Sequence, residues 1–99
     1  MKVRLGSFAR SAMQTRLGTD VSAGLEAALL HYARRVRSGH KPVSYPGFLE
    51  EVSAGPSDEL EVTVDPEVEQ VLTDEMRRQG LSLEQMAAHA VFVYLADLD

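Results

Sequence analysis

Polar and apolar residues alternate without a break through Glu59-Leu60-Glu61-Val62-Thr63-Val64-Asp65. Alternation with a period of two marks a half-buried strand, so the pattern predicts a strand over residues 59–65. Pro66 ends the alternation, and the apolar spacing changes to the threes and fours of a helix at Val68, Val71, Leu72 and Met76. Asp65 suits the N-cap of that helix and Pro66 its first position, where a missing N–H costs nothing. Glu67 and Glu69 fall at the positive end of its dipole and Arg77 and Arg78 in its last turn. Gly80 is a natural left-handed terminator. Ser82 then opens another helix, with Gln85 three residues on to complete a capping box. Leu83, Met86, Ala87, Ala90, Val91, Tyr94 and Leu98 line one face of this last helix, while Phe92, Val93 and Leu95 make its other side apolar too. A helix that is apolar all round is buried on more than one side. Residues 59–99 are too few to bury it alone, and their lone strand needs a partner strand, in this chain or in a second one.

The first part of the chain echoes this pattern. An offset of 62 residues lays Gly80-Leu81-Ser82-Leu83 on Gly18-Thr19-Asp20-Val21, Ala90 on Ala28, Val91 on Leu29 and Tyr94 on Tyr32. Gly18 is expected to end one helix, carrying Phe8, Ala9, Ala12, Met13 and Leu17 and capped by Ser7. Asp20 is expected to cap the next, whose stripe is Val21, Leu25, Ala28, Leu29, Tyr32 and Val36. Lys2-Val3-Arg4-Leu5 alternates briefly and reads as a short strand, about three residues nearer its helices than the second strand. The organisation is therefore a degenerate strand-helix-helix half over 1–37, a Gly- and Pro-rich linker over 38–58, and a second half over 59–99, together forming one compact domain. Pro46 to Val52 suggests a helical turn or two in the linker, with Tyr45, Phe48 and Leu49 as anchors.

Composition narrows the function classes. The 99 residues contain no cysteine, which excludes disulfides, a thiol nucleophile and a Cys-based zinc site and agrees with a reducing, cytoplasmic setting. No N-terminal signal region and no membrane-length apolar run is read in the sequence. The net charge of −5 conceals a split. Residues 1–41 hold eight Lys and Arg against two acids, whereas residues 42–99 hold two against thirteen. A basic half can present a basic face even in an acidic protein.

Strand, helix, Gly-containing turn and helix, with an Asp-Pro entering the first helix, resembles the ribbon-helix-helix family. The residues that carry the resemblance are Leu60-Glu61-Val62-Thr63-Val64-Asp65-Pro66-Glu67-Val68 and Gly80-Leu81-Ser82. It covers residues 59–99 well and 1–36 loosely. The resemblance implies an α+β, mostly helical fold in which two strands pair into an antiparallel ribbon above four interlocked helices. It also implies a regulator, often a repressor or the DNA-binding part of an antitoxin, whose ribbon enters the major groove of double-stranded DNA. On that pattern Lys2, Arg4, Glu61 and Thr63 face outward as reading positions. The N-termini of the second helices, at Asp20 and Ser82, approach phosphates. Arg34, Arg35, Arg37 and Lys41 form a basic cluster suited to phosphate or partner contact, or simply to the negative end of a helix dipole.

Two architectures follow. In one, the halves build an intrachain pseudo-dimer; in the other, the C-terminal unit homodimerises. The glutamates matter to function, because carboxylates beside phosphates are repelled. Pairing within one chain sets Lys2 and Arg4 antiparallel to Glu61 and Thr63, where opposite charges attract but also neutralise part of the reading face. The expected function is therefore DNA binding, with a protein-interaction module of the same fold, antitoxin-like or regulatory, as the alternative. An enzyme is not expected. His31, His40 and His89 share no metal-ligand spacing, no phosphate-binding glycine frame is present, and Glu50-Glu51 and Glu67/Glu69 read as solvated faces. No metal or cofactor is therefore expected.

Overall fold

The computed structural model describes residues 2–18, 20–39 and 57–98. Their order is β1 (Lys2–Gly6), α1 (Ser7–Leu17), α2 (Val21–Arg37), β2 (Ser57–Glu61), α3 (Pro66–Gln79) and α4 (Leu83–Asp97). The fold is α+β and mostly helical, with a two-stranded antiparallel sheet and four helices among the described residues. The partner of the second strand lies in the same chain. Lys2 pairs with Glu61, Val3 with Leu60, Arg4 with Glu59, Leu5 with Asp58 and Gly6 with Ser57.

This register corrects the expected strand. Among the described residues pairing covers 57–61 rather than 59–65, with Lys2, the first residue of β1, opposite Glu61. Ser57 and Asp58, placed by composition in the linker, belong to the ribbon. The alternation persists past the pairing: Val62 is buried and Val64 half-buried, while Thr63 is exposed. Lys41, Tyr45, Phe48, Leu49 and the suggested turn over Pro46 to Val52 lie outside the described residues.

The helix boundaries follow local chemistry. Gly18 and Gly80 close α1 and α3 in the left-handed region, with φ of 61° and 70°, where a side chain would be strained. Ser82 and Gln85 form both bonds of the capping box that opens α4. Asp20 caps α2 by accepting from the Ser22 N–H at 2.9 Å. Two details differ from expectation. Ser7 is the first residue of α1 rather than its cap, a position held by Gly6. Asp65 occupies the N-cap of α3, but its side chain makes no capping hydrogen bond.

The core draws on both the first and the last part of the chain. Residues Met86 to Val91 of α4 are buried without interruption, as are Val93 and Leu95, so the helix is enclosed on several sides. It packs most extensively on α2 and β1, both from the first half, and only slightly on the α3 that precedes it. Leu25, Ala28, Leu29 and Tyr32 of α2 are fully buried. A Cβ on Gly24 would lie 2.5 Å from Met13 Sδ, so a bare α-carbon lets α1 and α2 close up. Fully burying a Leu or Val stabilises by about 1.5–3 kcal/mol, and most of that gain here comes from contact across the halves.

The charge split is used across the halves. Arg10 pairs with Asp58, Lys2 with Glu59 at 3.7 Å, Arg35 with Asp97 at 2.9 Å and Arg37 with Glu67 at 3.1 Å. His31 meets the same Asp97 at 2.6 Å; a carboxylate only accepts, so Nε2 carries the proton. The hydrogen bond from His31, with Arg35 beside it, holds the Asp97 carboxyl below the ordinary carboxylate range. One further pair lies within a half and is partly buried. Glu75, 4% exposed, takes both Nε and Nη2 of Arg78 at 2.8 Å. Gln79 donates to Glu75 at 3.2 Å and to the Tyr32 hydroxyl at 2.9 Å, tying α3 to α2. Burial pushes the Tyr32 phenol above its usual value, and the bond from Gln79 partly offsets this. His89 meets Tyr32 edge-on with centroids 5.3 Å apart.

Candidate nucleic-acid interface

The ribbon has two different faces. Val3 and Leu5 of β1 point into the core and are fully buried, and Leu60 is half-buried beside them. The remaining alternate positions, Lys2 and Arg4 on β1 with Glu59 and Glu61 on β2, are exposed. Lys2 and Arg4 stand two residues apart on one strand, so both project from the same side. Arg4 lies directly across from Glu59 and Lys2 from Glu61. One charge contact runs diagonally, from Lys2 Nζ to Glu59, with the two side chains 70% and 53% exposed. Arg4 Nε donates to Ser57 Oγ at 3.1 Å, which steadies the guanidinium against the ribbon. Two cations thus face two carboxylates, and this surface carries no net charge.

Of the expected reading positions, the structure brings together Lys2, Arg4 and Glu61. Thr63 lies beyond β2, and its N–H donates to Glu26 of α2 at 2.7 Å. Glu59 takes its place on the face. Ser57 and Asp58 were missed as ribbon residues because Gly55-Pro56-Ser57-Asp58 has the composition of a turn.

The helix termini are less open to phosphate than expected. At α2 the Asp20 carboxylate already occupies the capping position, and its charge opposes an anion there. At α4 Ser82 accepts from the Gln85 N–H at 3.2 Å and Gln85 from the Ser82 N–H at 2.9 Å. The basic cluster is also engaged elsewhere. Arg35 and Arg37 are in ion pairs with α4 and α3, and Arg34 is exposed, while Lys41 lies outside the described residues. These arginines end a helix about 25 Å long that Asp20 begins, so the two groups do not form one patch.

No group of three or more His, Asp or Glu side chains is arranged to hold a metal among the described residues. No helix there is long and apolar enough to cross a membrane. No family model, curated protein or solved structure matches the chain.

Proposed function

We propose that the chain is a ribbon-helix-helix-like pseudo-dimer, built from its own two halves, that binds double-stranded DNA through the ribbon. The observation that carries this reading is the pair Lys2 and Arg4, exposed side by side on the outer face of a two-stranded antiparallel ribbon whose other face rests on the helices. The major groove is wide enough for such a ribbon, and Lys and Arg donate to the O6 and N7 acceptors of guanine. The matched turns at Gly18-Asp20 and Gly80-Ser82, and the enclosure of α4 by first-half elements, support the pseudo-dimer.

The compensated charge of the ribbon sets how this binding works. Glu59 and Glu61 cancel the attraction of Lys2 and Arg4 for phosphates, so affinity rests on base-edge contacts and the salt dependence is shallower than a basic ribbon would show. Selection of duplexes from a random library, at roughly 50 mM salt, is expected to enrich a guanine-containing site. Replacing Lys2 or Arg4 by Ala should then relax preference at one position by about 1–3 kcal/mol. No enrichment by the intact chain would overturn the reading. The same two glutamates favour a second reading, a protein-interaction module of this fold, antitoxin-like or regulatory, whose ribbon meets a basic partner surface. A stable complex with the product of a neighbouring gene, together with no selected duplex, would favour it.

A further inference from the structure

The halves differ at one junction. On the first side β1 runs straight into α1, with Gly6 followed by Ser7. On the second side Val62 to Asp65 intervene between β2 and α3. This connector bounds a groove of about 270 Å³ against α2. Ala27 and Leu30 of α2, with Val64 and Val68, supply apolar walls, and Glu26 and Asp65 supply carboxylates.

Five of the described acids, Asp58, Glu59, Glu67, Glu75 and Asp97, are already compensated by a cation. Glu26 accepts from the Thr63 N–H through Oε1 and pairs with no cation among the described residues. Asp65 stands at an N-cap without capping, and it too has no cation among those residues. Apolar walls between two such acids suit a side chain with an aliphatic stem and a cationic head. They repel phosphate, which separates this groove from any nucleic-acid surface.

We infer that the groove is a docking site for an arginine side chain presented by a partner protein. The stem lies along Ala27, Leu30, Val64 and Val68, and the planar guanidinium divides its donors between Glu26 and Asp65, a geometry that lysine's single ammonium matches less well. A protein source fits better than free arginine, whose own carboxylate would be brought close to two acids. The inference stands whether or not the ribbon binds DNA.

The test is a heteronuclear NMR titration of the whole chain with three probes: capped Gly-Arg-Gly, the same peptide with citrulline, and free arginine. The Arg peptide is expected to shift the amides of Ala27, Val64 and Val68 in a saturable manner. Citrulline should shift them at least tenfold more weakly, and free arginine should bind more weakly than the peptide. Glu26→Gln with Asp65→Asn should weaken the peptide at least tenfold with the spectrum otherwise retained, since the amide oxygen of the glutamine still accepts from the Thr63 N–H. If the double substitution unfolds the chain, Asp65→Asn alone, on an exposed residue, serves the same test with at least a threefold loss expected. Equal binding of citrulline, an unchanged affinity in a folded variant, or shifts scattered away from α2 and the connector would overturn the site. Tighter binding of free arginine would overturn the protein partner.

Discussion

Replacing both Glu59 and Glu61 by Gln should turn the ribbon into a strong polyanion binder. The two carboxylates stand opposite Arg4 and Lys2, so their removal takes the outer face from no net charge to two uncompensated cations. Each added phosphate contact contributes about −0.9 to the slope of log K against log salt, so two contribute about −1.8. Between roughly 50 and 200 mM salt, that slope is about a twelvefold additional loss of affinity relative to the parent chain. The fold should tolerate the change, because exposed ion pairs contribute about 1 kcal/mol or less and glutamine keeps the shape and polarity of the face. Fluorescence anisotropy with a mixed-sequence duplex across that salt range reads the slope directly. Tighter binding at low salt with a slope steeper by about two units is expected. An unchanged slope in a variant of normal melting temperature would refute the reasoning, since the glutamates would then not be what cancels Lys2 and Arg4.

Three further outcomes test the fold beneath the ribbon. Arg78→Ala takes the two-pronged guanidinium away from the buried Glu75 carboxylate and should lower the melting temperature by several degrees, whereas Arg77→Ala on the exposed face should leave it nearly unchanged; equal losses would contradict the network. Gly80→Ala puts a side chain at φ 70° and should destabilise by about 1–2 kcal/mol in chemical denaturation. Asp97→Asn should lose about 1 kcal/mol or less near neutral pH. The folded Asp97 carboxyl is held low, so its contribution is present above the ordinary carboxylate value and lost as pH falls through the folded one. The variant's deficit should therefore vanish in acid, and a deficit unchanged at about pH 2 would contradict the assignment.

The helix ends were legible because their chemistry is local. Gly18 before Asp20, and Gly80 before Ser82 and Gln85, specify a left-handed stop and a capped start within a few residues. The ribbon was only half legible. Alternation correctly sent Glu61 and Thr63 outward and Val62 inward, but where pairing stops depends on β1, at the far end of the sequence. Thr63 was counted as a reading position for that reason. Glu75 escaped notice because a carboxylate beside Leu72 and Met76 reads as solvated. What makes its burial tolerable is Arg78 one turn on and the Tyr32–Gln79 contact from α2. The charge split was visible and its use was not. A basic first half suggested a nucleic-acid face, yet Arg10, Arg35 and Arg37 direct their charge at acids of the second half. The connector groove had no signal in the sequence, because Glu26 and Asp65 meet only when α2 packs beside the connector.

The pairing of the two strands within one chain tests the proposed pseudo-dimer most directly. The chain has no cysteine, so Arg4→Cys combined with Glu59→Cys introduces a single possible bridge between residues that face each other across the ribbon. Directly opposed residues of an antiparallel pair lie about 4.5–5.5 Å apart at Cα, within disulfide reach. Mild oxidation at about micromolar concentration, followed by non-reducing electrophoresis and intact mass, should give a quantitatively bridged species at the mass of one chain, 10.9 kDa. Disulfide-linked dimers as the main product would mean that the ribbon forms between chains, and would contradict the intrachain pseudo-dimer.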